Sequence, residues 1–519
     1  MSIREKKELL LISSLILVAI FLRILFFFYT EDDAFITFRY VKNFLDGKGL
    51  VYNLGENVLG ITNGLYALLL IIFGKLGLNF ISFGKIFNIL SDGISVLLIL
   101  MIVRKWGGIK IWVLPSLLFV VSPPNIGWSA SGMETSFYIL FLFLSLYCYL
   151  DKKFILLGIS AGILFLIRPD GGQLLFILFL DYLLFDILKP VIGKKNGSSR
   201  NLLSLFQPHK YAIVTLLLFL IVILPWLIFC YTRYGSILPN SIKAKFVTYP
   251  GTPEGSGFFD PILYFVSPGP KLILTIFFLI GIVGSKTNRC HRIVSAYFLF
   301  SLLLMATSHV HLFPWYFAPL LPFYYIVASK GIELIILELE KISSKWRIKT
   351  GDQLEKNGNG QFTSIPIFLN ILIVVIIVLS MVSIYKLYTN LKIHSESLQA
   401  CHKAIGEWLK ENTDEDSIVC VGDIGYIGYY SDRKILDFMG LVSPEVLPFW
   451  EKGTPQEIVS EFKPDYFVVS KSDYFYSLVK DKSWFGIDYK IKKEFEAGDY
   501  KYYVFIREKM LDRQYIYNN

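Results

Sequence analysis

The chain has little charge. Only 18% of its 519 residues are Asp, Glu, Lys or Arg, against 54% hydrophobic and 16% aromatic. A soluble protein of this size could not cover its surface with so few ionised groups, so the soluble classes are excluded. Cysteine is also scarce: Cys148, Cys230, Cys290, Cys401 and Cys420 show no metal-ligand spacing. The first three lie in or beside hydrophobic runs and read as small core residues. Cys401 and Cys420 fall in the C-terminal stretch, where they can pair if that stretch is exported. No small-residue cleavage site follows the first hydrophobic run, residues 9–29, which reads as a retained anchor. The net charge of +9 is spread in short clusters between hydrophobic runs, which argues against a nucleic-acid partner.

What the chain does have is long apolar runs, with a mean hydropathy of +0.53. It reads as a polytopic α-helical membrane protein. Spans are expected near 9–29, 111–123, 135–150, 154–167, 173–188, 211–230, 270–284, 293–308, 315–336 and 365–388. Residues 65–103 are apolar but broken at Gly74–Gly77 and Lys85, so they make one net crossing or three, with one piece at the interface or in a hairpin. Basic clusters at Arg104/Lys105/Lys110, Lys152/Lys153, 189–210, Lys286/Arg289/Arg292 and 341–356 belong inside by the positive-inside rule. The expectation is a multi-pass plasma-membrane protein with a cytoplasmic N-terminus. The loops 31–64, 122–135, 168–172, 231–268 and 308–315 then share the outer face with the chain after residue 388.

The apolar runs end near residue 389. From 390 to 519 charge rises, and Ser417–Gly422, Asp465–Ser470 and Tyr502–Ile506 read as strands beside a helix at Ala400–Glu411. Alternating strands and helices predict a soluble, extracytoplasmic α/β domain at 390–519, after a membrane domain at 1–389. The run Gly422-Asp-Ile-Gly-Tyr-Ile-Gly lacks the G-x-G-x-x-G spacing of a dinucleotide site.

Chemistry is expected first at Glu31-Asp32-Asp33, three carboxylates directly after the first span, where charge is costly unless used or solvated. A helix follows, with Ala34, Phe38, Val41 and Leu45 on one face and Arg39, Lys42, Asn43 and Asp46 on the other, ending at Gly47. It is expected to lie along the membrane surface. One Asp can cap it, but capping needs one carboxylate, so Asp32 and Asp33 are the candidate catalytic residues, able to deprotonate an acceptor hydroxyl. Arg39 is a candidate substrate contact. The loop 49–64 is either a turn-rich connector or a sugar site using Glu56, Asn57, Thr62 and Asn63. Glu134 at the start of a span is either functional or a helix-start residue. Arg168 suits a lipid phosphate, which it can grip bidentately, unless it merely pairs with Asp170. Asn240, Lys243 and Lys245 add donors, and His309, His311, Trp315 and Tyr316 are candidates to line a cavity. Two histidines at i and i+2 without a matched carboxylate are a weak metal pattern.

These segments together carry a resemblance. Asp32-Asp-Ala-Phe-Ile-Thr-Phe-Arg-Tyr, Gly49-Leu-Val-Tyr-Asn-Leu-Gly-Glu, Gly132-Met-Glu-Thr, Arg168-Pro-Asp-Gly, Tyr234-Gly-Ser-Ile-Leu-Pro-Asn and Trp315-Tyr-Phe-Ala-Pro-Leu-Leu-Pro occur in that order. Gly422-Asp-Ile-Gly-Tyr-Ile-Gly-Tyr-Tyr and Asp437-Phe-Met-Gly-Leu follow in the C-terminal stretch. The chain resembles the GT-C superfamily of integral-membrane glycosyltransferases, in particular the branch with mycobacterial arabinofuranosyltransferases. It is more distantly similar to protein O-mannosyltransferases and lipid A aminoarabinose transferases. The resemblance covers most of the chain and implies about 11–13 transmembrane helices. It also implies inverting transfer of a sugar from a polyprenyl-phosphate donor to a hydroxyl of a glycan, lipid or protein. Asp33 or Asp32 would be the general base, with Arg168 and Lys243 or Lys245 stabilising the leaving phosphate. Some relatives use a divalent metal (Mg or Mn), for which Asp32, Asp33 and Glu134 would be hard oxygen ligands; no other cofactor is implied. The chain departs at Leu59-Gly-Ile-Thr-Asn, where relatives often carry an acidic or aromatic residue, which bears on acceptor identity. Two other readings stand beside it. A lipid-linked-sugar transporter or flippase would more often show internal repeats, and the Asp32-Asp33 loop has no repeat in the second half of the chain. A non-catalytic envelope scaffold is the other. The C-terminal domain is expected to help select acceptors.

Overall fold

A computed structural model describes residues 2–188, 210–249, 257–267, 270–284, 288–350 and 364–508. The basic residues expected at 189–209, Lys286 and 351–356 lie outside these. Most of the chain is helical. Among the described residues, five helices are long and apolar enough to cross a membrane: Phe80–Gly107, Pro169–Leu188, Ala212–Tyr234, Arg289–Ser308 and Asn370–Asn412. A bent pair, Asp260–Val266 with Lys271–Gly284, adds a sixth if it is one span. This is a polytopic membrane protein with a small C-terminal domain built on a β-sheet.

The first nine helices frame the site. They are α1 (Ile3–Ile24), α2 (Asp32–Leu45), α3 (Gly64–Lys75), α4 (Phe80–Ile102), α5 (Leu114–Val120), α6 (Pro123–Ser129), α7 (Thr135–Leu150), α8 (Phe154–Ile167) and α9 (Gly172–Asp181). The stretch 65–103 resolves into α3 and α4 around a turn at Gly77, whose φ of +77° lies in the left-handed region that Gly enters readily. At twelve residues α3 is about 18 Å long, too short to cross alone, whereas α4 is long enough. The span expected at 111–123 is corrected. Its only helix is α5, seven residues, because the segment starts in a turn and Pro123 opens a new helix.

Buried polar groups lock this frame. Arg23 of α1 and Asp92 of α4 are fully buried and paired, and Arg23 also donates to the carbonyls of Ala19, Phe119 and Val120. One guanidinium thus holds α1, α4 and α5 together, as a buried charge must be paired to be tolerated. Lys85 of α4 donates to the Tyr29 carbonyl at 2.8 Å and the Thr30 hydroxyl at 3.1 Å, fixing the chain just before the three carboxylates.

The sequence places α2 along a membrane surface with a solvated polar face. Instead Arg39 and Asn43 are buried along with Phe35, Phe38, Tyr40 and Val41, because the C-terminal domain lies over that face. Arg39 donates to the carbonyls of Tyr52 (2.9 Å), Gly428 (2.6 Å) and Arg433 (2.6 Å) and stacks on the Tyr52 ring.

The C-terminal sheet has the order β2-β1-β3-β5-β4, from β1 (Ile418–Val421), β2 (Lys434–Asp437), β3 (Tyr466–Ser470), β4 (Tyr489–Ala497) and β5 (Tyr500–Arg507). The first three are parallel, and β5 and β4 add antiparallel. Alternation along the strands divides the core. Val419, Val421, Tyr466, Val468, Val504 and Ile506 face the core shared with the membrane helices. Cys420, Phe467, Val469 and Phe505 face a second core with Trp450, Ile458 and Phe475. Cys401 sits in the first core and Cys420 in the second, and all five cysteines are buried free thiols. The pairing expected for Cys401 and Cys420 is therefore corrected: the two side chains are on opposite faces of the sheet.

Candidate active site

A cavity of about 620 Å³ opens where α2, α7, α8 and α9 meet the helices Asn240–Thr248 and Arg289–Ser308. Asp33, Thr37, Asn63, Glu134, Arg168, Asp170, Ser241, Lys245, Trp315 and Tyr316 line it, with Ile242, Phe246, Leu304 and Met305 on an apolar side. Nine of the residues singled out from the sequence (Asp33, Thr62, Asn63, Glu134, Arg168, Asp170, Lys245, Trp315 and Tyr316) thus meet in one place, although they span positions 33 to 316.

Each is there for a local reason. Asn63 precedes α3 but does not cap it; its side chain bridges Thr37 Oγ1 (3.1 Å) and Glu134 Oε2 (2.7 Å) instead. Glu134 precedes α7 and likewise forms no cap. Its other oxygen is 3.8 Å from Arg168. The Gly132–Glu134 turn is held by Tyr66, which donates to the Gly132 carbonyl at 3.0 Å, and by Asn88, which donates to the Met133 carbonyl at 2.7 Å. Arg168, at the end of α8, grips Asp170 through both carboxylate oxygens at 3.0 and 2.9 Å. The guanidinium lies over the rings of Tyr138 and Tyr316. Lys245 donates to the Tyr316 hydroxyl at 2.7 Å. Two cations therefore bracket Tyr316 on one wall, facing Asp33.

The two aspartates are separated by the helix that carries them. Successive residues on a helix point about 100° apart. Asp33 faces the cavity, and among the described residues no donor is hydrogen-bonded to its carboxylate. Burial pushes the Asp33 carboxyl up to about 6; Lys245 opposes this, while Asp32, Asp423 and Glu134 add to it. Asp32 turns to the C-terminal domain, where both oxygens are occupied. They accept from the amides of Gly425 (3.1 Å) and Tyr426 (2.9 Å), and Oδ1 lies 3.1 Å from His402 Nδ1. Burial works against its ionisation, but His402 and the two amides hold the Asp32 carboxyl below its usual range.

Four other expected site residues lie outside the cavity. Arg39 is committed to the C-terminal domain, as described. Glu56 pairs with Lys434 at 2.6 Å. Asn240 donates to the carbonyls of Gly440 (2.7 Å) and Leu441 (3.0 Å), so it anchors the domain's Asp437–Leu441 loop, whose Leu441 does reach the cavity. Lys243 is exposed and 3.9 Å from Glu451; two residues from Lys245, it faces the opposite side of the same helix. Trp315 and Tyr316 line the cavity, but His309 and His311 do not; the His311 ring packs on Tyr249 and Phe313. Thr37 was missed although its i+4 spacing from Asp33 placed it on the same helix face. Ser241, Gln173 and Leu441 carried no comparable signal.

The carboxylates do not suit a divalent metal. Glu134 and Asp170 are taken by Asn63 and Arg168, and Asp32 by His402. Among the described residues no three His, Cys, Asp or Glu side chains converge as ligands.

With this geometry in view, comparisons with known proteins divide by region. A family described as "Domain of unknown function (DUF8728)" matches residues 389–505, the C-terminal domain. The chain matches no curated protein. Among solved structures it is similar to ArnT from Cupriavidus metallidurans bound to undecaprenyl phosphate, with a TM-score of 0.59 and 12% identity over 96% of this chain and 98% of that one. The apo crystal structure of ArnT matches with a TM-score of 0.57 and 11% identity over the same shares. The chain shares the fold of these ArnT structures. The likeness of fold extends across nearly the whole chain, as does the resemblance drawn from the ordered motifs.

Proposed function

We propose that this GT-C protein is a membrane glycosyltransferase that moves a sugar from a polyprenyl-phosphate donor to a hydroxyl of a glycan, lipid or protein on the outer face of the plasma membrane. The observation that carries the reading is the division of charge in the cavity. Asp33 is the carboxylate with no hydrogen-bonded donor among the described residues, and it faces a wall bearing Arg168 and Lys245. ArnT, whose fold the chain shares, has been crystallised with undecaprenyl phosphate, which supports a lipid phosphate as the ligand of that wall.

In the proposed reaction the acceptor oxygen attacks the anomeric carbon as its proton passes to Asp33. The bond from that carbon to the phosphate oxygen breaks, and the electron pair leaves with the polyprenyl phosphate. A base near pH 6 is ionised at neutral pH and still basic enough to take a proton as the oxygen becomes bonded. The transition state is oxocarbenium-like. Arg168 and Lys245 oppose the charge gathering on the leaving phosphate, which needs no protonation to depart. Asn63, Glu134 and Tyr316 are placed to orient sugar hydroxyls. With Glu134 and Asp170 already paired to a cation, a single displacement with inversion is favoured over a covalent route through a second carboxylate.

The test is release of polyprenyl phosphate by the purified protein from a panel of polyprenyl-phosphate sugars, with a crude envelope fraction as acceptor. Release from one donor that Asp33→Asn abolishes, in protein that still folds, is the expected result. Undiminished release by Asp33→Asn, or none by the unaltered protein from any donor, overturns the proposal.

A further inference from the structure

Asp32 is neither part of the cavity wall nor an ordinary helix cap, yet the contacts around it are extensive. The residue preceding α2, Glu31, makes no side-chain cap bond, and Asp32 spends its carboxylate on another domain. Its oxygens accept from the amides of Gly425 and Tyr426, some 390 residues away along the chain. The approach is so close that a Cβ on Gly425 would lie 2.0 Å from the Asp32 carbonyl oxygen, so no other residue fits there. Behind Asp32 runs a connected line of polar groups. His402 Nδ1 is 3.1 Å from Asp32, His402 Nε2 is 2.8 Å from the Tyr502 hydroxyl, and that hydroxyl donates to Asp423 at 2.6 Å. Since Tyr502 gives its own proton to Asp423, its oxygen is left to accept from Nε2. Both ring nitrogens then donate, and the line closes with His402 as the imidazolium between two carboxylates.

Resting on the reading of Asp33 as the base, we propose that Asp32 is a positioning residue: it clamps the C-terminal domain to the first turn of α2 and thereby sets the aim and the electrostatic field of Asp33. The two aspartates share one peptide bond, so α2 cannot rotate Asp33 away from the cavity without breaking the Gly425, Tyr426 and His402 contacts. The groups that face Asp33 are Asp32 on its own helix, Lys245 on the helix Asn240–Thr248, Asp423 in the C-terminal domain and Glu134 before α7. Asp32 and Asp423 are thus both part of the clamp and part of the field. On this account the C-terminal domain is a component of the catalytic unit, not an appended module.

The experiment uses the full chain in detergent, comparing Asp32→Asn, Asp32→Glu, His402→Gln and Asp33→Asn. It measures donor turnover across pH and amide hydrogen exchange over residues 422–431. Asp33→Asn is expected to be inactive at every pH with unchanged exchange. Asp32→Asn is expected to lower kcat on the order of 10²-fold, the usual consequence of a misplaced reacting group, with the donor KM nearly unchanged. Its remaining activity should have an acid limb at lower pH, since a neighbouring negative charge is gone. Asp32→Glu keeps the charge but not the reach, so its limb stays in place while kcat falls. Both Asp32 variants and His402→Gln should speed exchange at 422–431. A purely structural role would move exchange and stability but not the limb. Unaltered exchange in Asp32→Asn overturns the clamp whatever the assay shows. Normal kcat and limb in Asp32→Asn, with Asp33→Asn inactive, overturns the positioning role alone. If Asp33→Asn stays active, the base reading itself falls and the positioning role with it.

Discussion

Replacing Asp33 by Asn should make the protein more stable while abolishing turnover. Burial raises this carboxyl from 3.8 to about 6. At ~1.4 kcal/mol per pH unit, the ionised side chain costs the folded state at most about 3 kcal/mol. Water in the open cavity screens part of that, so the measured value should be lower. The sign follows from linkage. The folded pKa lies above the unfolded one, so below about pH 4 the carboxyl is protonated in both states and contributes nothing. As pH rises from 4 to 6 the unfolded chain releases its proton first, and the cost grows. Above pH 6 it is complete. Asn carries no such cost at any pH. Thermal melts of the purified protein in detergent from pH 4 to 8 should therefore show equal Tm values at the acid end and a higher Tm for Asp33→Asn at pH 8. A Tm difference that does not change with pH, or a less stable variant at pH 8, would refute the assignment of a strained base to this position.

Further outcomes follow from other contacts. For the unaltered enzyme, kcat/KM should rise with pH through about 6 and then level, because Asp33 acts only when ionised; a profile flat from pH 5 to 8 contradicts this. Arg168→Lys keeps the charge but loses the two-point grip on Asp170, and turnover should fall on the order of 10²-fold in steady-state assays. Arg39→Ala removes three bonds to loop and C-terminal-domain carbonyls, leaving buried acceptors unmet; melting should show a loss of several kcal/mol, with proteolysis between the domains accelerated. Reductant should leave Tm unchanged and thiol reagents should label no cysteine in the folded protein, since all five are buried and free.

The parts legible in the sequence share a property: each is decided by residues close together along the chain. Low charge and long apolar runs require a membrane protein. The strands at 418–421, 466–470 and 500–507 follow from short β-branched and aromatic runs, and the glycine at 77 marks its turn. The charged strand β4 and the four-residue β2 escaped notice, because Tyr489–Ala497 is largely exposed and carries little apolar alternation. The sequence also singled out nine of the cavity residues, since a polar residue at the end of an apolar run has few reasons to be there.

The tertiary structure decided between near neighbours. Asp32 and Asp33 are equivalent as sequence, and so are Lys243 and Lys245; a helix sends each pair in different directions, and only the packing of α2 against the C-terminal domain, or of Asn240–Thr248 against the cavity, says which member faces the site. The same packing turned Arg39 from an exposed candidate into an interdomain tie and gave His402, a lone histidine without a motif, a carboxylate partner 370 residues away. By itself the sequence determined the class, the broad chemistry and the short list of residues, because those depend on composition and local spacing. Which carboxylate faces the substrate depends on contacts between segments hundreds of residues apart, and these exist only once the chain has folded.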